Sequence, residues 1–357
     1  MNKKKLILVL LLALAALALS ACSGQVATNN WPGLSVDGEH AYLATGSFVY
    51  AVDVKTGKQV WKYPEEASGS LLFYATPVLT DDGQLLIGSA GTNHSLLSLD
   101  PATGRENWAA PFTDAKGAWV ASPLAFNNAI YAPNTDGFLY ILNMSGAEIA
   151  DPIELSGALW SAPVTDGNLL YVTSLDHHLH VVNPATGEVS DAIDLGGGIP
   201  GSPAVTDGGV FVGSFTTAIE FVQPNGEHEV IANAGNWIWG TPVLDNGTLY
   251  YADLSGNLFS LDTATKTQNW GTVKPDGPVV ASLLVTETQI YAVAEDGNFI
   301  AVDRDGKIVW EKETGGKNYT TPALAGDLIL VAPYQTEFAL AAYDADGKQA
   351  WTFTPEK

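Results

Sequence analysis

Apolar residues in this 357-residue chain come in two kinds of run. One is unbroken, from Leu6 to Leu19. Every later run is short, mixing β-branched, aromatic and small residues, and ends in a turn signal. Typical are Asp37-Gly38, Asp82-Gly83, Asp166-Gly167, Asp207-Gly208 and Asn246-Gly247. Such pairs supply the positive φ that a tight hairpin turn demands. The residues from Pro242 onward show the grammar. A short run ends at Asn246-Gly247, and Leu249-Tyr250-Tyr251-Ala252 follows. After a second turn comes a strand ending Ser260-Leu261-Asp262, and after a third turn a strand carrying Trp270. The pattern predicts four antiparallel strands per unit.

The unit repeats along the chain, and this decides the fold class. Ala51 to Trp61 reads AVDVKTGKQVW, Ser98 to Trp108 reads SLDPATGRENW, and Ser260 to Trp270 reads SLDTATKTQNW, with Lys266 replacing the glycine. Shortened copies run from Ala301 to Trp310 and Ala342 to Trp351, and weaker ones start at Ile141, Val181 and Phe221. A proline after a small residue marks each unit independently, at Pro77, Pro123, Pro163, Pro203, Pro242 and Pro322. Pro32 opens the series and Ser282-Leu283 fills the one gap. The intervals are 45, 46, 40, 40, 39, 41 and 39 residues. Eight units therefore fill 31–357. The expected fold is all-β, a single eight-bladed β-propeller of four-stranded antiparallel blades. The ring is expected to close by packing of the first blade on the last. Residues 24–30 could add a short strand.

The motif Ala-x-Asp-x-x-Thr-Gly-x-x-x-Trp resembles the PQQ-like (quinoprotein-type) propeller repeat, and the resemblance covers the chain from residue 31. In that family the tryptophan docks against the neighbouring blade. The resemblance thus implies structural blade-docking for Trp61, Trp108, Trp270, Trp310 and Trp351. Units three to five lack this tryptophan, so their joints should be packed differently. Among lipoproteins, the architecture is similar to the BamB family of outer-membrane assembly factors. That likeness implies a protein-binding scaffold in envelope assembly, and no partner-binding loop carries over from it.

The opening segment is read as targeting, not as fold. Lys3, Lys4 and Lys5 precede an apolar run of 14 residues, shorter than the ~20 of a spanning helix. Leu19-Ser20-Ala21-Cys22 resembles a lipobox, which implies cleavage before Cys22 and acylation of its thiol. Cys22 is the single cysteine in the chain, so no disulfide, thiolate metal cluster or c-type haem site is open to it. The expected organisation is a lipoprotein signal peptide over 1–22, a linker over 23–30 and the propeller over 31–357. At ~3.3–3.6 Å per residue the linker holds the propeller within roughly 30 Å of a bilayer. Ser23, not being aspartate, implies the outer membrane where there are two membranes. With one membrane the protein would face outward from it.

Charge narrows the partners. Losing residues 1–22 removes three lysines and no acids, which takes the net charge from −23 to −26. A field of that sign disfavours nucleic acid and anionic headgroups and favours basic partners or cations.

The candidate chemistry is sparse. Trp31, Trp119, Trp160, Trp237 and Trp239 all lie close to a strand-opening proline, and Tyr74 and Tyr319 sit three residues ahead of Pro77 and Pro322. First strands are innermost in a propeller, so these rings could rim one mouth of the ring and bind a peptide, glycan or small ligand. They could equally pack between blades there. His178 and His180 face one side of a strand beside His177, but no third strong metal ligand is identifiable and the register is that of ordinary blade aromatics. Asp303-x-Asp305-Gly306 and Asp344-x-Asp346-Gly347 lack the anchoring ligands of a calcium loop and read as turns. Nucleophile-elbow, phosphate-loop and zinc-protease motifs are absent from the sequence. Quinone enzymes with such repeats are longer and hold PQQ with calcium, and many add a cysteine pair. The expectation here is no catalytic residue and no cofactor. Three function classes stay open: an assembly scaffold, a ligand-capturing lipoprotein serving a transporter or sensor, and a quinoprotein dehydrogenase.

Overall fold

In a computed structural model, the structure describes residues 31–190 and 192–356. The lipobox, Cys22 and the linker, including any strand over 24–30, lie outside the described residues. From Trp31 onward the chain forms one compact unit. It is an all-β, eight-bladed propeller, with no α-helix among the described residues.

Blade 1 shows the plan: Gly33–Val36, His40–Thr45, Phe48–Asp53 and Gln59–Tyr63 pair antiparallel in sequence order. Blades 3 to 8 repeat it, ending with Ala323–Ala325, Leu328–Val331, Leu340–Tyr343 and Gln349–Phe353. Blade 2 differs. Its first three strands, Val78–Leu79, Leu85–Gly88 and Leu96–Leu99, are regular, but its fourth is reduced to bridges at Glu106 and Phe112. Pro111 lies between them and has no N–H to give a ladder.

The middle two strands of each blade are buried on both faces, which is why they read as continuous apolar runs such as Leu85–Gly88 and Tyr291–Val293. Each hydrophobic cluster joins facing sides of adjacent blades, as where Leu43, Tyr50 and Val52 of blade 1 meet Leu330, Leu340 and Phe353 of blade 8. The first and last blades therefore close the ring by packing.

The repeat motif builds both a turn and a joint. Asp53 Oδ1 accepts the N–H of Thr56 at 2.8 Å and its hydroxyl at 2.6 Å, and Asp100 with Thr103 and Asp262 with Thr265 do the same. The following residue then takes positive φ, 68° at Gly57 and 70° at Gly104. The bare glycine face receives the tryptophan of the preceding blade. Cβ atoms added at Gly104, Gly146, Gly306, Gly347 and Gly57 would stand 2.5–2.7 Å from the rings of Trp61, Trp108, Trp270, Trp310 and Trp351 respectively. Four of these indoles also donate to a carbonyl of the same turn: Trp61 to Pro101 (2.8 Å), Trp108 to Met144 (3.0 Å), Trp310 to Ala345 (2.8 Å) and Trp351 to Val54 (2.8 Å). The buried Trp270 N–H has no partner among the described residues.

The three joints without tryptophan are packed otherwise. At Gly187 an added Cβ would meet nothing within 4 Å, and at Gly226 it would meet Ile193 at 3.7 Å. At the third, Lys266 takes φ 55° and pairs with Glu229 at 2.7 Å. That pair is exposed, so its contribution is small.

Candidate binding mouth

In each blade the connection into the first strand and the turn between strands two and three lie at one end of the ring. The turns between strands one and two, and between three and four, lie at the other. At the first end, small residues just before the strand-opening prolines link neighbouring blades. Ser122 Oγ donates to the Thr76 carbonyl at 2.9 Å and Ser202 Oγ to that of Ala162 at 2.8 Å. The N–H groups of Ser202, Thr241 and Ser282 donate to the hydroxyls of Thr241 (3.0 Å), Ser282 (2.8 Å) and Thr321 (3.1 Å). These bonds crowd seven small residues around the axis. The eighth such position, before Pro32, is Trp31.

Trp31 is half-buried and lies across the axis. Its ring centroid is 5.5 Å from Tyr74 of blade 2 and 6.1 Å from Trp160 of blade 4. Trp160 is 6.5 Å from Trp239 of blade 6, which lies 5.3 Å from Phe215 in the strand 2–3 turn of blade 5. Phe215 stacks on Trp237 at 4.8 Å. Tyr74, Trp31, Trp160, Trp239, Phe215 and Trp237 thus form one row of rings over the mouth. All are half-buried except Trp237, which is 48% exposed.

Two of the sequence candidates stand apart from that row. Trp119 is 1% exposed, donates its indole N–H to the His94 carbonyl at 2.7 Å, and meets Phe112 and Tyr140 edge-on. It fills the joint between blades 2 and 3. The reason is register: the residue four before the strand-opening proline, or before Leu283 in its place, is an inter-blade core position, buried at Phe73, Trp119, Leu159, Ile199, Ile238 and Val279. The residue three before, as at Tyr74, Trp160 and Trp239, points the other way. Tyr319 shares that favourable register but is tied elsewhere. Its hydroxyl donates to Glu295 at 2.9 Å, and Lys317 pairs with the same carboxylate at 2.8 Å, holding it below the usual carboxylate range. Phe215 was not singled out by sequence reasoning. Its signal was an aromatic in a turn where blades 3 and 7 carry Thr135 and Glu295.

The histidines sit on blade 4. His178 Nδ1 lies 3.3 Å from Asp176, the His178 and His180 rings are 6.0 Å apart, and His180 is buried, which pushes its pKa down to about 4. Among the described residues, no three His, Cys, Asp or Glu side chains are grouped to hold a metal. Asp303 and Asp344 each accept two backbone N–H groups of their own turn, at 2.8–3.1 Å. At the opposite end of the ring, an open polar depression of about 540 Å³ is lined by Asp166, Asn168, Thr206 and Asp207.

The fold defines a PQQ-like repeat propeller, with a row of aromatic rings at one end of its axis. Residues 19–155 and 222–354 match the family described as outer membrane protein assembly factor BamB, and the chain belongs to that family. A curated BamB of Nitrosomonas eutropha is 28% identical over 113 residues, 31% of this chain and 27% of that protein, so the match spans about a quarter of the relative's length. In structure the propeller is similar to BamB from Moraxella catarrhalis, with TM-score 0.67, 15% identity and coverage of 88% of this chain and 93% of that one. It is also similar to the computationally designed Ika8 protein, with TM-score 0.71, 13% identity and coverage of 91% and 96%. At those identities the two structures speak to the fold alone.

Proposed function

We propose that this protein is a non-catalytic binding scaffold in the assembly of envelope proteins, held at a membrane by acyl chains on Cys22 and working beside a membrane-bound partner. One observation carries the binding reading: six rings from five blades, five of them half-buried and Trp237 exposed, converge on one mouth. Family membership supports assembly as the setting. Ser23, not being aspartate, supports an outer-membrane position where there are two membranes.

The residues present do not fit a bound quinone. PQQ is a tricarboxylate and needs cations around it. The two arginines, Arg105 and Arg304, both lie in turns at the opposite end of the ring, and the axis at the mouth end is ringed by Ser, Thr and Ala. The three lysines of the mouth-end loops, Lys116, Lys274 and Lys317, are outnumbered by carboxylates, Lys317 being paired with Glu295.

Crosslinking in native membranes followed by mass spectrometry tests the proposal. The expected product joins the protein to an outer-membrane or assembly component, and Cys22→Ser moves the protein to the soluble fraction and removes the product. Recovery of a permease or sensor kinase instead would overturn the assembly role.

A further inference from the structure

We propose that the aromatic mouth binds an extended polypeptide segment through its lysine and arginine side chains, each cation seated against a tryptophan face. This rests on reading the mouth as a binding site and adds the chemistry of what enters it. The first support is the rings themselves. Trp31, Trp160 and Trp239 are half-buried and tilted to their neighbours by 37–63°, so none of them is stacked flat against another ring of the row. Tryptophan is the best aromatic partner for a cation within about 6 Å of its centroid.

Charge is the second support. The loops at the mouth end carry ten carboxylates against three cations, Lys116, Lys274 and Lys317, and no arginine. Lys317 is already spent on Glu295. A basic ligand therefore meets a complementary field and no competing side chain in the row. Spacing is the third. The centroid separations Trp31–Trp160 and Trp160–Trp239 are 6.1 and 6.5 Å. Alternate side chains of an extended peptide stand about 6.5–7 Å apart. Residues i, i+2 and i+4 can then meet successive indoles, whereas a small free cation would use only two or three of the six rings.

The test is calorimetric titration of the full chain, in non-ionic detergent, with three peptides of one length: alternating lysine and serine, norleucine and serine, and glutamate and serine. The lysine peptide is expected to bind and to weaken steeply between about 0.05 and 0.5 M salt. The norleucine and glutamate peptides are expected not to bind. Trp160→Ala with Trp239→Ala should weaken the lysine peptide about tenfold. Trp237→Ala, at an exposed ring, should weaken it severalfold with no change in melting temperature, which guards against an unfolding artefact. Equal binding of the norleucine peptide, or displacement by a neutral oligosaccharide that itself binds more tightly, overturns the proposal, as does unchanged lysine-peptide affinity in the tryptophan variants. Crosslinking separates this from the broader reading. If the double variant loses its membrane partner while the wild type ignores lysine peptides, the mouth binds something else and the cation chemistry fails. If lysine-peptide affinity falls while the partner is kept, the cation site stands and the partner docks elsewhere.

Discussion

The joint that closes the ring includes one indole seated on one glycine, and a double-mutant cycle can measure that contact. Trp351 lies on Gly57, where an added Cβ would stand 2.6 Å from the ring, and its N–H donates to the Val54 carbonyl at 2.8 Å. A tryptophan covers about 150–250 Å². At about 25 cal/mol per Å², and allowing for the part of Trp351 left exposed, its removal costs about 3 kcal/mol, with about 1 more for the hydrogen bond. Gly57→Ala attacks the same contact from the other side. Its φ of 68° costs a Cβ about 1–2 kcal/mol, and displacing the indole should bring the total to about 3 kcal/mol. In a Trp351→Ala background the clash is gone, so Gly57→Ala should fall back to about 1–2 kcal/mol, a coupling of about 1–2. Gly187→Ala is the internal control. Its φ is 73°, but no tryptophan covers it and nothing lies within 4 Å of the new Cβ, so it should cost about 1–2 kcal/mol in either background. Denaturant midpoints followed by far-ultraviolet circular dichroism give all six values. Equal costs for Gly57→Ala in the two backgrounds would refute the docking argument.

His180 predicts an acid-side loss of stability. Burial holds its pKa at about 4 against an ordinary 6.5, so the unfolded chain takes up the proton first as pH falls. The stabilisation is whole above pH 6.5 and is lost toward pH 4, amounting to about 3 kcal/mol. His180→Leu should flatten the stability profile over that window, and an unchanged slope would sink the idea. The two register classes of tryptophan should separate by melting temperature: Trp119→Ala is expected to cost about 3–5 kcal/mol, while Trp237→Ala should stay within about 0.5.

Much of the fold could be read from local signals, because a propeller repeats them. Proline spacing counted the blades, and the Asp-Gly and Asn-Gly pairs marked the hairpins. Asp53, Thr56, Gly57 and Trp61 are all in the motif because the turn and the joint are made by the same few residues. The reduced fourth strand of blade 2 was less visible, although Pro111 was there to see. The mouth was half legible. Proximity to a proline drew Trp31, Trp119, Trp160 and Trp239 into one set, yet Trp119 is one residue out of phase with Trp160 and Trp239, and in a strand-like segment one residue turns a side chain to the opposite side.

The sequence by itself determined the all-β class, the number of blades and the turns, since those follow from period, φ preference and apolar runs within about forty residues. Only the tertiary structure decided which aromatic rings meet. Trp31, Trp160 and Trp239 are separated by scores of residues, and they come together because eight blades closing on one axis bring the starts of all their inner strands to one place.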